Sequence, residues 1–267
     1  MGNWTPRLLS LFLLACAPAR AEEATYGPLF ASDELVELTI EAPFEKIMSE
    51  RPEDEDIPGL LKMEDPETGT IEVELGLRTR GEFRRRMKIC PFAPLRLDFK
   101  PSQSVGTLFA GQDKVKLVTH CKNSGWLYEQ NVLTEYLAYR ILNVLTDISY
   151  RVRLVRLTYV YTDRERELVK PAFLIEHRDE LAVRIGLPHI EVDMLHTEQL
   201  EPSHTNIVSV FQYLIGNTDF SPLKNSEGQV CCHNHTPFGR QGEPVYSIPY
   251  DFDFSGIVDA PYAAPNP

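Results

Sequence analysis

The chain has 267 residues, 43% hydrophobic and 25% charged, an ordinary globular composition with ample material for a core. Its net charge of −12 disfavours nonspecific attraction to nucleic acid or anionic membrane, so an anionic ligand would need a local basic patch. By length it is one large domain or two small lobes.

Residues 1–21 read as an export signal. Arg7 precedes the apolar run Leu8 to Ala17, and Ala19-Arg20-Ala21 is an A-x-A cleavage site. The run is about ten residues, against roughly twenty for a bilayer span, so no transmembrane span is expected. Leu13-Leu14-Ala15-Cys16 also resembles a lipobox, which would place a lipid anchor at Cys16. The mature protein is then periplasmic, secreted or lipid-anchored in the envelope. Its net charge falls to −14, because the segment carries Arg7 and Arg20 and no acid.

Residues 22–69 read as a lead-in, a strand over Leu35 to Ile40, and an acidic, Pro-rich exposed loop over Glu50 to Glu67. The main domain, 70–267, opens with a half-buried strand. Ile71, Val73, Leu75 and Leu77 occupy one face and Glu72, Glu74 and Arg78 the other. The basic cluster that follows (Arg78, Arg80, Arg84, Arg85, Arg86, Lys88) reads equally as an anion grip or a solvated hairpin tip. Leu95 to Phe99 and Lys114 to Val118 are further strands, with Lys114 and Lys116 on one face.

Leu127 to Leu145 is the clearest helix, with an apolar stripe from Val132 to Val144. Arg151 to Tyr161 and Leu168 to Ile175 form a β-hairpin, with Pro171 marking an edge or a bulge. Helices follow at Glu176 to Ile185 and Ser203 to Ile215, with Ser203 as N-cap. Strands dominate to about 175 and helices and loops follow, which predicts an α+β or two-lobed arrangement.

Four cysteines lie beyond residue 21. Cys90 and Cys121 are disulfide candidates, closing a loop worth around 3–4 kcal/mol. A ring between the adjacent Cys231 and Cys232 is strained, so one or both are expected to pair elsewhere. Zinc held by Cys231, Cys232, His233 and His235 would have a spacing that fits no usual pattern.

The chemistry gathers in two stretches. Asp219 follows a helix end at Gly216-Asn217-Thr218. Asp251 and Asp253 alternate with Tyr250, Phe252 and Phe254, so an extended strand would put both carboxylates on one face. With Asn234 they could form an oxygen-only cation site, suited to Mg²⁺ or Mn²⁺ bound with phosphate oxygens.

The order of these features resembles the CotH family of secreted atypical kinases over about residues 70 to 257. The matching pieces are Arg78-Thr79-Arg80-Gly81, the strands at Pro94 to Phe99 and Lys114 to Leu117, and the helix with Asn131 and Glu135. Beyond these come Phe173-Leu174-Ile175-Glu176, Asn217-Thr218-Asp219 and Pro249-Tyr250-Asp251-Phe252-Asp253. The resemblance implies a two-lobed, protein-kinase-like fold transferring phosphate from ATP, with Mg²⁺ or Mn²⁺, to a hydroxyl of a protein or small molecule.

In that scheme Asp219 is the catalytic-loop aspartate, Asn234 and Asp251 with Asp253 hold metal, and Lys116 or Lys114 reaches the phosphates. Glu135 pairs with that lysine, and Arg80 adds phosphate contacts. Three departures stand out. The family's asparagine follows its aspartate by about five positions, whereas Asn225 stands at +6 and Asn234 at +15 from Asp219. There is no G-x-G-x-x-G loop, and the sequence ends eleven residues after Gly256, which predicts a truncated second lobe. The same residues also allow a non-catalytic envelope binding protein of kinase-like fold, or a metal-dependent phosphoesterase using Asp219, Asp251 and Asp253.

Overall fold

The computed structural model describes residue 1 and residues 27–66, 68–226 and 228–263. The export signal and Cys16 lie outside the described residues.

Seven strands close into a barrel in the order β1-β2-β3-β4-β5-β7-β6. They are β1 (Val36–Ala42), β2 (Ile57–Asp65), β3 (Gly69–Thr79), β4 (Leu95–Phe99), β5 (Lys114–Val118), β6 (Val152–Tyr161) and β7 (Arg166–Ile175). Neighbours pair antiparallel except at the seam, where β1 and β6 run parallel from Val36↔Val155 to Ala42↔Tyr161. Alternation fills the interior. Leu38, Ile40, Val73, Leu75, Leu95, Leu97, Val115, Leu117, Val155 and Leu157 are all buried in one cluster. Helix α1 (Phe44–Glu50) adds Phe44, whose ring meets Tyr159 edge-on at 5.3 Å.

A second core lies outside the barrel wall. Helix α2 (Trp126–Leu145) packs on β6 and β7, with Tyr136 and Tyr139 against Phe173 at 5.9 and 5.7 Å. Helices α3 (Arg178–Ile185) and α4 (Pro202–Leu214) and the hairpin β8 (His235–Phe238) and β9 (Tyr246–Pro249) complete it. Phe252 lies between Tyr139 (4.6 Å) and Phe211 (5.3 Å) and so pins the segment after β9 to both long helices.

The expected two-lobed, protein-kinase-like fold is corrected by this closure. The two strands before residue 69 and the five from it onward belong to one barrel, and four α-helices accompany it among the described residues. The seam between β1 and β6 joins residues 119 apart in sequence, a pairing that no local pattern signals.

The exposed loop expected over Glu50 to Glu67 contains β2. Its Ile57, Leu60, Leu61 and Met63 do not alternate strictly, and Pro58-Gly59 reads as a turn. Gly59 is there because a Cβ would collide with Leu77 Cδ1 and stand 3.1 Å from Glu41 O. Pro171 sits where β7 has β6 on one side only, since β5 pairs no further than Phe173. Helix α4 is capped by Glu201, whose carboxylate accepts from His204 N–H, and not by Ser203.

Candidate functional site

A cleft of about 540 Å³ opens where β3, β5 and α2 face the loops after α4 and β9. Arg80, Lys116, Glu135, Asp219, Asn234, Asp251 and Asp253 all line it. Lys114 does not. It shares the outward face of β5 but sits at the exposed end and pairs with Asp113 at 3.3 Å.

Strand alternation aims Lys116. Val115 and Leu117 point into the barrel, so the intervening lysine points out into the cleft. Its ammonium lies over the Tyr250 ring, 4.8 Å from the centroid. Burial, then neighbouring Arg80, lowers its pKa to about 7, against the raising effect of Asp251. The expected Lys116–Glu135 ion pair is not among those formed by the described residues.

Glu135 instead faces Arg84. The Arg84 guanidinium is 3.8 Å from Glu135 and 3.6 Å from Asp253, and its Nη2 donates to Thr119 O at 2.6 Å. The Tyr262 hydroxyl donates to Asp253 Oδ2 at 3.1 Å. Burial raises the carboxyls of both Glu135 and Asp253, and Arg84 opposes the rise. Burial alone would lower Arg84, but Tyr262, Asp253 and Glu135 turn the balance and raise it, so its charge is secure. Asp253 therefore belongs to a buried charge cluster on the cleft floor.

Helix α2 holds the other wall through two side chains eight apart, on one face. Asn131 Nδ2 donates to Val258 O at 2.8 Å, and Tyr139 Oη accepts from Asp251 N–H at 2.8 Å. The strand expected through Asp251 and Asp253 ends at Pro249. Asp251 has φ +63°, a left-handed conformation that breaks the extended alternation, yet its side chain still meets that of Asp253 through a side-chain hydrogen bond.

Asp219 follows the α4 terminus, where Asn217 Oδ1 accepts its N–H at 3.0 Å. Asn234, fifteen residues on, donates from Nδ2 to Asp219 O at 2.7 Å and to Oδ2 at 3.0 Å. The intervening chain folds back through Ser221 N–H to His233 O at 2.9 Å, so the long spacing still delivers an asparagine to the aspartate. Asn225 also lines the cleft, but its Nδ2 goes to Val230 O. Asn234 has φ +53°, and its main-chain oxygen accepts from Tyr250 N–H at 2.9 Å, tying it to the residue before Asp251.

Sequence reasoning missed the partner on the other carboxylate oxygen. His233 Nε2 lies 2.9 Å from Asp219 Oδ1. Its position next to Asn234 was the available signal. His235, by contrast, is buried against Ser247, and burial lowers its pKa to about 3. Cys231 and Cys232 stand at disulfide distance from each other, as do Cys90 and Cys121. The expectation that Cys231 or Cys232 pairs elsewhere is thereby corrected, and the zinc set is dispersed.

Among the described residues no group of three or more His, Cys, Asp or Glu is arranged to hold a metal. The cleft offers instead a few hard oxygens. These are the Asp251 carboxylate and Asn234 Oδ1, the atom left when Nδ2 is committed to Asp219. That set fits a small divalent cation that arrives with phosphate oxygens and completes its shell with them and with water. The chain matches no protein-family model and has no significant match among curated proteins.

Proposed function

We propose that this protein is a metal-dependent phosphotransferase that passes a phosphoryl group from ATP to a hydroxyl acceptor. The observation that carries the reading is one cleft with Lys116 and Arg80 on the barrel side and the hydrogen-bonded Asp219–Asn234 pair, joined to Asp251, on the other. Arg80 and Arg178 lower the pKa of Lys116 and Asp251 raises it, so the lysine stands between cations and a carboxylate. A half-buried lysine beside Arg80 suits an anionic ligand that arrives with a cation for Asp251.

Lys116 and Arg80 would bind phosphate oxygens. Asp251 and Asn234 Oδ1 would hold Mg²⁺ or Mn²⁺, which when bound neutralises phosphate charge. Asp219 is fixed on both oxygens and would orient the acceptor hydroxyl and take its proton. Positioning and charge are most of what phosphoryl transfer asks of a protein. The order of these residues along the chain supports a relation to the CotH family. The pairing of Cys90 with Cys121 supports an oxidising, exported setting, and among the described residues no helix is long and apolar enough to cross a membrane.

The test is ADP formation from ATP with Mg²⁺. We expect turnover in the full chain and its loss in Asp219→Ala with nucleotide binding kept. Hydrolysis of p-nitrophenyl phosphate without nucleotide, lost in the same variant, would identify a phosphoesterase instead.

A further inference from the structure

We infer that His233 is a positioning residue for Asp219, holding its carboxylate through Nε2–H so that the lone pairs left over face the acceptor hydroxyl. The inference rests on the phosphotransferase reading for its chemistry, but its geometry stands alone. A carboxylate only accepts hydrogen bonds, so at 2.9 Å from Asp219 Oδ1 the proton must be on Nε2. The backbone that carries the ring is held as well. His233 N–H donates to Lys224 O at 3.1 Å and its carbonyl accepts from Ser221 N–H at 2.9 Å, so the main chain fixes the position from which the imidazole reaches Asp219.

With Asn234 Nδ2 on Oδ2 and on the main-chain oxygen, Asp219 is gripped at three atoms by two consecutive residues. A carboxylate in ordinary solvent rotates freely about its χ2 angle. Here rotation would break charge-assisted bonds on both oxygens, so the direction of proton acceptance is fixed before the acceptor arrives. In the transfer step the hydroxyl proton goes to Asp219 as the new O–P bond forms and the bond to the departing ADP oxygen breaks. His233 keeps its own proton and shares the Asp219 charge. Its side chain is 42% exposed within the cleft, so it has no packing duty that would account for its orientation.

Two measurements on the full chain decide this. Long-range ¹H–¹⁵N imidazole spectra should show His233 carrying a proton on Nε2, with its signals displaced in Asp219→Ala. A bare Nε2 overturns the inference whatever the activity. Kinetically, His233→Phe should lower kcat roughly tenfold to a hundredfold, the loss expected for one hydrogen bond to a charged group, with KM for ATP unchanged. His233→Gln, which keeps an N–H donor, should restore most of it. A folded Gln variant no better than Phe, or a loss confined to KM, also overturns it. Absence of turnover in the wild type defeats the phosphotransferase reading instead, and the imidazole spectra still decide the role of His233.

Discussion

Asn234 Nδ2 grips Asp219 twice, at the main-chain oxygen (2.7 Å) and at Oδ2 (3.0 Å), across a fifteen-residue excursion. The bond settles which face of the asparagine is available, because it commits the amide nitrogen and leaves Oδ1. Asn234→Ala should abolish metal-dependent nucleotide binding and lower turnover by about a hundredfold or more. Asn234→Asp keeps an oxygen but sets a second carboxylate against Asp219, and should be nearly as damaging at neutral pH. Isothermal titration with Mg²⁺ and ATP checks both.

Lys116 makes nucleotide binding pH-dependent. Its folded pKa is lowered to about 7 from 10.5. Between these values the unfolded chain holds a proton that the folded chain has released, so this group makes stability rise with pH from about 7 to 10.5. Lys116→Met should flatten that part of the urea-denaturation profile. Phosphate bound at the ammonium favours the charged form, so ATP affinity should fall as pH rises above about 7, by at most roughly tenfold per pH unit. Proton uptake on binding, read from the buffer dependence of the calorimetric enthalpy, checks the sign.

The Arg84 cluster supports the cleft floor. Removing the guanidinium leaves Glu135 and Asp253 buried side by side without a counter-charge. Arg84→Ala should cost about 3–5 kcal/mol at alkaline pH, above about 8, where Glu135 is ionised. The cost should already shrink as pH falls through neutrality, because the two carboxyls, raised by burial, take up protons there. Denaturant titrations at two pH values test the difference.

At the barrel, Gly59→Ala should destabilise by about 1–3 kcal/mol, because Leu77 and the Glu41 carbonyl leave no room for a Cβ. A thermal melt is sufficient, and nucleotide binding per folded molecule should be unchanged, since Gly59 does not line the cleft.

Much of the local structure was legible. The strands at Leu95 to Phe99 and Lys114 to Val118 and the helix from about residue 127 fall where periodicity puts them, because a buried face imposes period two or 3.6 on the residues that make it. The barrel was not legible. Its seam pairs Val36 with Val155, and β2 hides behind Pro58-Gly59 and a run of acids. The candidate site shows the same division. Asp219, Asn234, Asp251 and Lys116 could be picked out because polar residues stood among apolar ones. Their partners could not, because Arg84 meets Glu135 and His233 meets Asp219 only after the chain folds back on itself. The left-handed turn at Asp251 carried no glycine to announce it, so an alternating D-x-D looked like a strand.

The central claim is that the cleft binds a metal–nucleotide complex, and thermal unfolding of the full chain tests it most directly. With Mg²⁺ and ATP together at about a hundred times Kd, linkage predicts roughly 2.7 kcal/mol of stabilisation, a rise in Tm of about 5–10 °C for a chain of this size. Either component alone should give little, and Asp251→Ala should erase the rise. No shift in the wild type, or one that survives unchanged in Asp251→Ala, would contradict the account.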